Sequence, residues 1–200
     1  MNARVRRAGP VGERGTPPRA RVLVLGGKDR GDDAVGPLVA ERLESSRGWA
    51  AVRAHVDLRM AGALDVLDVA DTPSGTSCIV VDAARGLEPG EIAFIPFERF
   101  LDEAAEGLPV PRSSHELPVA TVLGLARIVR GELPDGGFLV GGGAGFGLGQ
   151  PPSGRTLGSV PRLADRLMRE VARRCRPDDQ ESATLRPGES TREPSPCALH

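Results

Sequence analysis

No stretch of this 200-residue sequence reaches about 18 consecutive apolar residues, so a membrane-spanning helix is not expected. The N-terminal MNARVRRAGPVGERGTPPRA is positively charged but has no apolar run of about 7–15 residues behind it, so it does not read as a secretory signal. Cysteine is scarce. Cys78, Cys175 and Cys197 are odd in number and show no C-x-x-C spacing, which argues against a disulfide framework and against a zinc knuckle. A reducing, cytoplasmic setting is the expectation. Net charge is nearly absent as well: 26 basic and 27 acidic side chains leave −1, too little to draw in a polyanion, so nucleic acid is not an expected partner. Lysine is missing except for Lys28, a compositional bias that carries no functional reading. The closing Cys197-Ala-Leu-His200 is no prenylation box, because His is not a usual final residue and no second membrane signal accompanies it.

Several enzyme signatures are missing too. The tract Gly141-Gly-Gly-Ala-Gly-Phe-Gly-Leu-Gly149 contains no G-x-G-x-x-G and is followed by proline and serine, so no dinucleotide site or other organic cofactor is expected. The loop Gly26–Asp33 has no G-x-x-x-x-G-K-[ST], and its two acids would repel a phosphate. No G-x-S-x-G elbow occurs, and Cys78 lies within an apolar run, where a thiol packs rather than reacts.

What remains is an alternation of short apolar runs with helical patterns. The length suits one domain. Residues 1–19 and 176–200, rich in Pro, Gly, Ser and charge, read as disordered tails around a single domain at 20–175. Inside it, Arg21–Gly26 and Ser77–Asp82 read as buried strands, Val52–Leu58 as an alternating strand, Glu91–Phe97 as an edge strand or hairpin arm, and Phe138–Val140 as a further strand. Helical spacing follows Asp33, runs from Gly62 to Ala70, continues after Ser113-Ser-His-Glu116, and returns over Val160–Arg174, while a loop fills the stretch before Ser113. The expected architecture is a three-layer α/β/α fold with a twisted, mostly parallel sheet of about five strands and helices on both faces.

In such a sheet functional groups gather beyond the carboxyl ends of the strands. Asp32 and Asp33 follow the first strand, Asp82 closes the third, and His115 opens the helix after the Pro-containing loop. Two carboxylates and an imidazole reaching one edge suit a borderline divalent ion such as zinc or nickel, with positions left open for water or substrate. Each residue also has a structural explanation. One of Asp32 and Asp33 would serve as a helix cap, Asp82 could cap a turn, and Ser113-x-x-Glu116 is a formal capping box beside His115.

Three motifs carry a resemblance to a known family. Arg30-Gly-Asp-Asp-Ala-Val-Gly36 follows the first strand, Val80-Val-Asp82 is followed by Pro89-Gly90, and Ser113-Ser-His115 opens a helix of small and aliphatic residues. In order and spacing they resemble the hydrogenase-maturation endopeptidases, over about Arg21 to Arg174. The resemblance implies a phosphorylase/hydrolase-like α/β fold and a metal-contacting set of Asp33, Asp82 and His115, which are also the implied catalytic residues. It implies removal of a C-terminal peptide from a [NiFe]-hydrogenase large-subunit precursor after nickel insertion. The nickel is then carried by the substrate, and zinc or another divalent ion could occupy the same ligands. A monomer is expected. The sequence departs from the family at Gly26-Gly27-Lys28-Asp29, where G-x-G-N is usual, at the glycine-heavy 141–149, and at Glu116-Leu-Pro118. The altered Gly26–Asp29 loop keeps open a second reading, a non-catalytic paralogue that binds a metalloprotein partner, while the retained Asp33, Asp82 and His115 count against a third in which the acids only cap helices.

Overall fold

The central strands owe their position to uninterrupted apolar sequence. A computed structural model describes residues 18–107 and 118–175. Strand β1 (Ala20–Val24) is buried along its whole length, and β3 (Ser77–Ala84) is buried from Cys78 onward. With β2 (Val56–Met60), β4 (Ile92–Pro96) and β5 (Gly136–Gly142) they form one sheet in the order β2-β1-β3-β5-β4. The pairings β1–β2, β1–β3 and β3–β5 are parallel, and only the edge strand β4 runs antiparallel, against β5. Because successive side chains alternate between faces, each strand feeds two cores. Val22, Val24, Ile79, Val81 and Leu139 point one way, towards α1 (Val35–Glu44) and α6 (Gly154–Arg174). Leu23, Leu25, Val80, Phe138 and Val140 point the other way, towards α3 (Val66–Ala70), α4 (Phe97–Ala105) and α5 (Val119–Arg130). The result is the expected three-layer α/β/α arrangement.

Several boundaries differ from the sequence reading. Residues 47–52 are helix α2 (Arg47–Val52), capped by Ser46, whose Oγ accepts from Trp49 N–H, and a 3₁₀ turn Arg53–His55 precedes β2. Gly48 therefore lies inside a helix, and burial of Trp49 outweighs the strand-like alternation of Val52 and Ala54. Helix α4 replaces the expected loop: Phe97 and Phe100, three residues apart, are buried and each packs its ring 5.1 Å from that of Phe138. Helix α3 starts only at Val66, after Asp65 and Asp68 form a reciprocal cap. Helix α6 starts earlier than Val160, with Ser153 accepting from Thr156 N–H and Pro161 inside it. On α5, Val122, Leu123 and Ala126 are buried while Val129 is 64% exposed. No helix of the described residues is long and apolar enough to cross a membrane.

Candidate functional site at the carboxyl edge of the sheet

From β1 the chain passes outward to β2, and from β2 it crosses back over β1 to β3. Strand order thus reverses between β1 and β3, and the crevice beyond their carboxyl ends is where open α/β sheets place ligands. The two segments that carry the sequence-predicted acids meet there. Leu25 N–H donates to Val81 O at 2.9 Å, so Gly26 and Asp82 are the next residues on two adjoining strand ends. Gly26 has φ of +101°, and a Cβ on it would overlap the Asp33 carbonyl. Glycine is required at that point because the 3₁₀ turn Gly31–Ala34 crosses the strand end in direct contact. Gly36 serves the same approach, since its missing Cβ leaves room for Leu25 O at the start of α1.

Asp33 is 3% exposed, and its Oδ2 accepts from Gly27 N–H at 2.9 Å. The half-exposed Arg30 guanidinium lies 3.9 Å from the same oxygen. Asp82 is 4% exposed, and its Oδ1 accepts from Ala83 N–H at 2.8 Å. It does not end its strand as expected: β3 continues to Ala84, and Asp82 pairs in register with Val140. Its side chain faces the α4–α5 layer, where Asp82, Ile95, Phe100, Val119 and Val140 line a small pocket. His115 lies outside the described residues, as do Ser113 and Glu116. Among the described residues no three His, Cys, Asp or Glu side chains form a cluster able to hold a metal ion, and His115 would be the third of the expected set.

The structure separates Asp32 from Asp33. Neither carboxylate caps the 3₁₀ turn or α1. Asp32, with no exposure at all, reaches across the fold to the segment after β5. Its Oδ2 accepts from Ala144 N–H at 2.8 Å and Gly145 N–H at 3.1 Å, and its Oδ1 accepts from Ser153 N–H at 2.7 Å. Burial alone would raise its pKa, but these three amides stabilise the anion more strongly and lower it from 3.8 to about 2. The glycine tract is explained by the same contact. A side chain on Gly143 would press on Asp32 Cβ, and one on Gly31 would overlap Gly145 O, so the two loops close against each other only as bare backbone. Asp32 N–H also donates to Gly145 O at 2.6 Å, and Gly31 N–H to Gln150 O at 2.9 Å. The tract packs as scaffolding against the acidic loop.

Cys78 is buried, and desolvation pushes its thiol up to about 11, consistent with inert packing. Sequence reasoning missed two features of the edge: the reach of Asp32 to the 144–153 segment, and Arg85, whose guanidinium carbon lies 4.3 Å from the centre of the Phe146 ring. The density of glycine at 141–149 was the one available signal for the first.

No protein-family model and no curated protein matches the sequence. Solved structures do. The [NiFe] hydrogenase maturation protease HycI from Thermococcus kodakarensis is 27% identical, with 77% of this chain and 92% of that one covered and a TM-score of 0.54. A hydrogenase 3 maturation protease is 26% identical over 74% of this chain and 88% of that one, with a TM-score of 0.55. The hydrogenase maturating endopeptidase HybD from E. coli, 18% identical over 78% and 93% of the two chains at a TM-score of 0.60, adds agreement in fold. With its acids at the β1–β3 reversal, the chain resembles the [NiFe] hydrogenase maturation proteases, which are endopeptidases, in fold and in sequence.

Proposed function

We propose that the chain removes the C-terminal peptide of a [NiFe]-hydrogenase large-subunit precursor after nickel insertion, with Asp33, Asp82 and His115 contacting the nickel that the substrate carries. The observation that carries this reading is the burial of two carboxylates from different segments, Asp33 and Asp82, at the point where the strand order reverses. Carboxylates alone are modest ligands for a borderline ion, and an imidazole completes a set that reads such an ion without removing it from another protein. The four residues of chain from His115 to Val119 span at most about 14 Å, and Val119 lines the same pocket as Asp82. The distance is short enough for His115 to join the acids.

Hydrolysis then follows from the groups at hand. Water attacks the scissile carbonyl carbon, and one of the two carboxylates takes its proton as general base. The C–O bond forms to give a tetrahedral intermediate, and its collapse breaks the C–N bond as the proton passes from the carboxyl group to the leaving amine. Nickel in the substrate would supply Lewis acidity beside the bond, and zinc or another divalent ion is a candidate occupant of the same ligands. The test is to offer the protein a nickel-loaded and a nickel-free precursor and to read both by intact mass. Loss of a C-terminal peptide from the loaded form alone is expected. Equal cleavage of both forms would remove the metal from the reading, and cleavage of neither would remove the peptidase.

A further inference from the structure

Besides its acids, the carboxyl edge holds a cation with no acidic partner among the described residues. Arg85 follows β3 directly, three residues beyond Asp82, or about 10 Å along an extended chain. Its side chain is exposed, and the guanidinium stacks on Phe146. That ring is fixed: Phe146 is 8% exposed and packs into the α1–α6 core. Its loop is held by the two amides, Ala144 and Gly145, that bind Asp32. At the same loop's tip Leu148 is 75% exposed. A guanidinium resting on a fixed aromatic face keeps its N–H edge available and has little rotamer freedom left to lose on binding. The ligand that matches this edge is a carboxylate, received through two parallel N–H···O bonds.

We infer that Arg85 is a specificity residue that binds a carboxylate of the substrate segment lying along this edge, supplied by an acidic side chain or by a chain terminus. The inference rests on the peptidase reading above and names what that site selects. Arg85 acts on binding and not on bond cleavage, because a contact made equally before and during reaction changes KM and leaves kcat alone.

Titration of a nickel-loaded hydrogenase large-subunit precursor against wild type, Arg85→Gln and Arg85→Lys tests it, with processing followed in parallel by intact mass. Arg85→Gln is expected to weaken binding and raise KM about tenfold, with kcat within about twofold, and the loss should shrink at high salt. Arg85→Lys should recover only part, since ammonium cannot form the fork. Replacing the acidic residues of the precursor's C-terminal segment one at a time should reproduce the loss in wild type and add nothing in Arg85→Gln. If none of them couples, amidating a synthetic copy of that segment tests the chain terminus. Equal binding and equal KM in wild type and Arg85→Gln, or coupling to no carboxylate at all, overturns the inference. A wild type that binds the precursor but never cleaves it overturns the peptidase reading, while the binding arm still decides on Arg85. A wild type that does not bind overturns both.

Discussion

The two ends of the sheet bury charge in different ways. At the amino end, Arg21 on β1 is 3% exposed and is met by an opposite charge: its Nε donates to Asp57 Oδ2 at 3.0 Å, and an Nη donates to Asp68 O at 3.1 Å. Arg59 holds the same Asp57 at 2.9 Å. At the carboxyl edge the buried acids Asp32, Asp33 and Asp82 accept from backbone amides of Ala144, Gly145, Ser153, Gly27 and Ala83, and the half-exposed Arg30 guanidinium lies 3.9 Å from Asp33. A guanidinium neutralises a carboxylate, whereas an amide holds it in place and leaves its charge to act on something else. Within the edge, Asp32 is tied to the 144–153 segment, whereas Asp33 meets Gly27 N–H and Arg30.

The largest expected effect breaks the edge while sparing the fold. Asp33→Asn or Asp82→Asn should lower precursor processing by roughly 10²–10⁴-fold with a melting temperature close to wild type, as intact-mass kinetics and calorimetry would read. Asp32→Ala should do the opposite. It strands three amides that now bind a carboxylate and should cost about 3 kcal/mol in urea unfolding. Any loss of activity should follow from misplacement of the 31–34 turn. At the amino end, Asp57→Asn leaves the buried Arg21 guanidinium on the neutral Asp68 carbonyl and Thr72 hydroxyl and should cost about 3 kcal/mol by the same measurement, with processing unchanged.

Acidity sharpens the contrast further. The folded pKa of Asp32, about 2, lies below its ordinary 3.8, so its stabilisation is complete above about pH 4 and is lost as pH falls towards 2. Comparing wild type with Asp32→Asn between pH 4 and pH 2 should show the wild-type advantage shrinking by about 2 kcal/mol. A constant gap across that window would assign the stabilisation to packing.

Much of the fold was legible because its causes are local. The apolar runs of β1 and β3 declare buried parallel strands, and the short alternation near Glu91 declares an edge, found as β4 against β5. Helices α2 and α4 were illegible because single large side chains, Trp49 and the pair Phe97 and Phe100, decide them through contacts distant in sequence. The acids were visible as a set, yet their different contacts were not. Asp32 draws its amides from residues 112 to 121 positions further along the chain, and nothing in the local sequence reports that. Nor could spacing reveal Arg85 on Phe146, which depends on how the 144–150 loop closes. The sequence-predicted role of His115 concerns a residue outside the described chain and stands on the family resemblance.

The most direct test of the account compares wild type, Asp32→Asn and Asp33→Asn on one nickel-loaded hydrogenase large-subunit precursor, at a temperature where all three are folded, read by intact mass. The account predicts release of the C-terminal peptide by wild type and by Asp32→Asn, and none by Asp33→Asn. Processing at the wild-type rate by Asp33→Asn would contradict it.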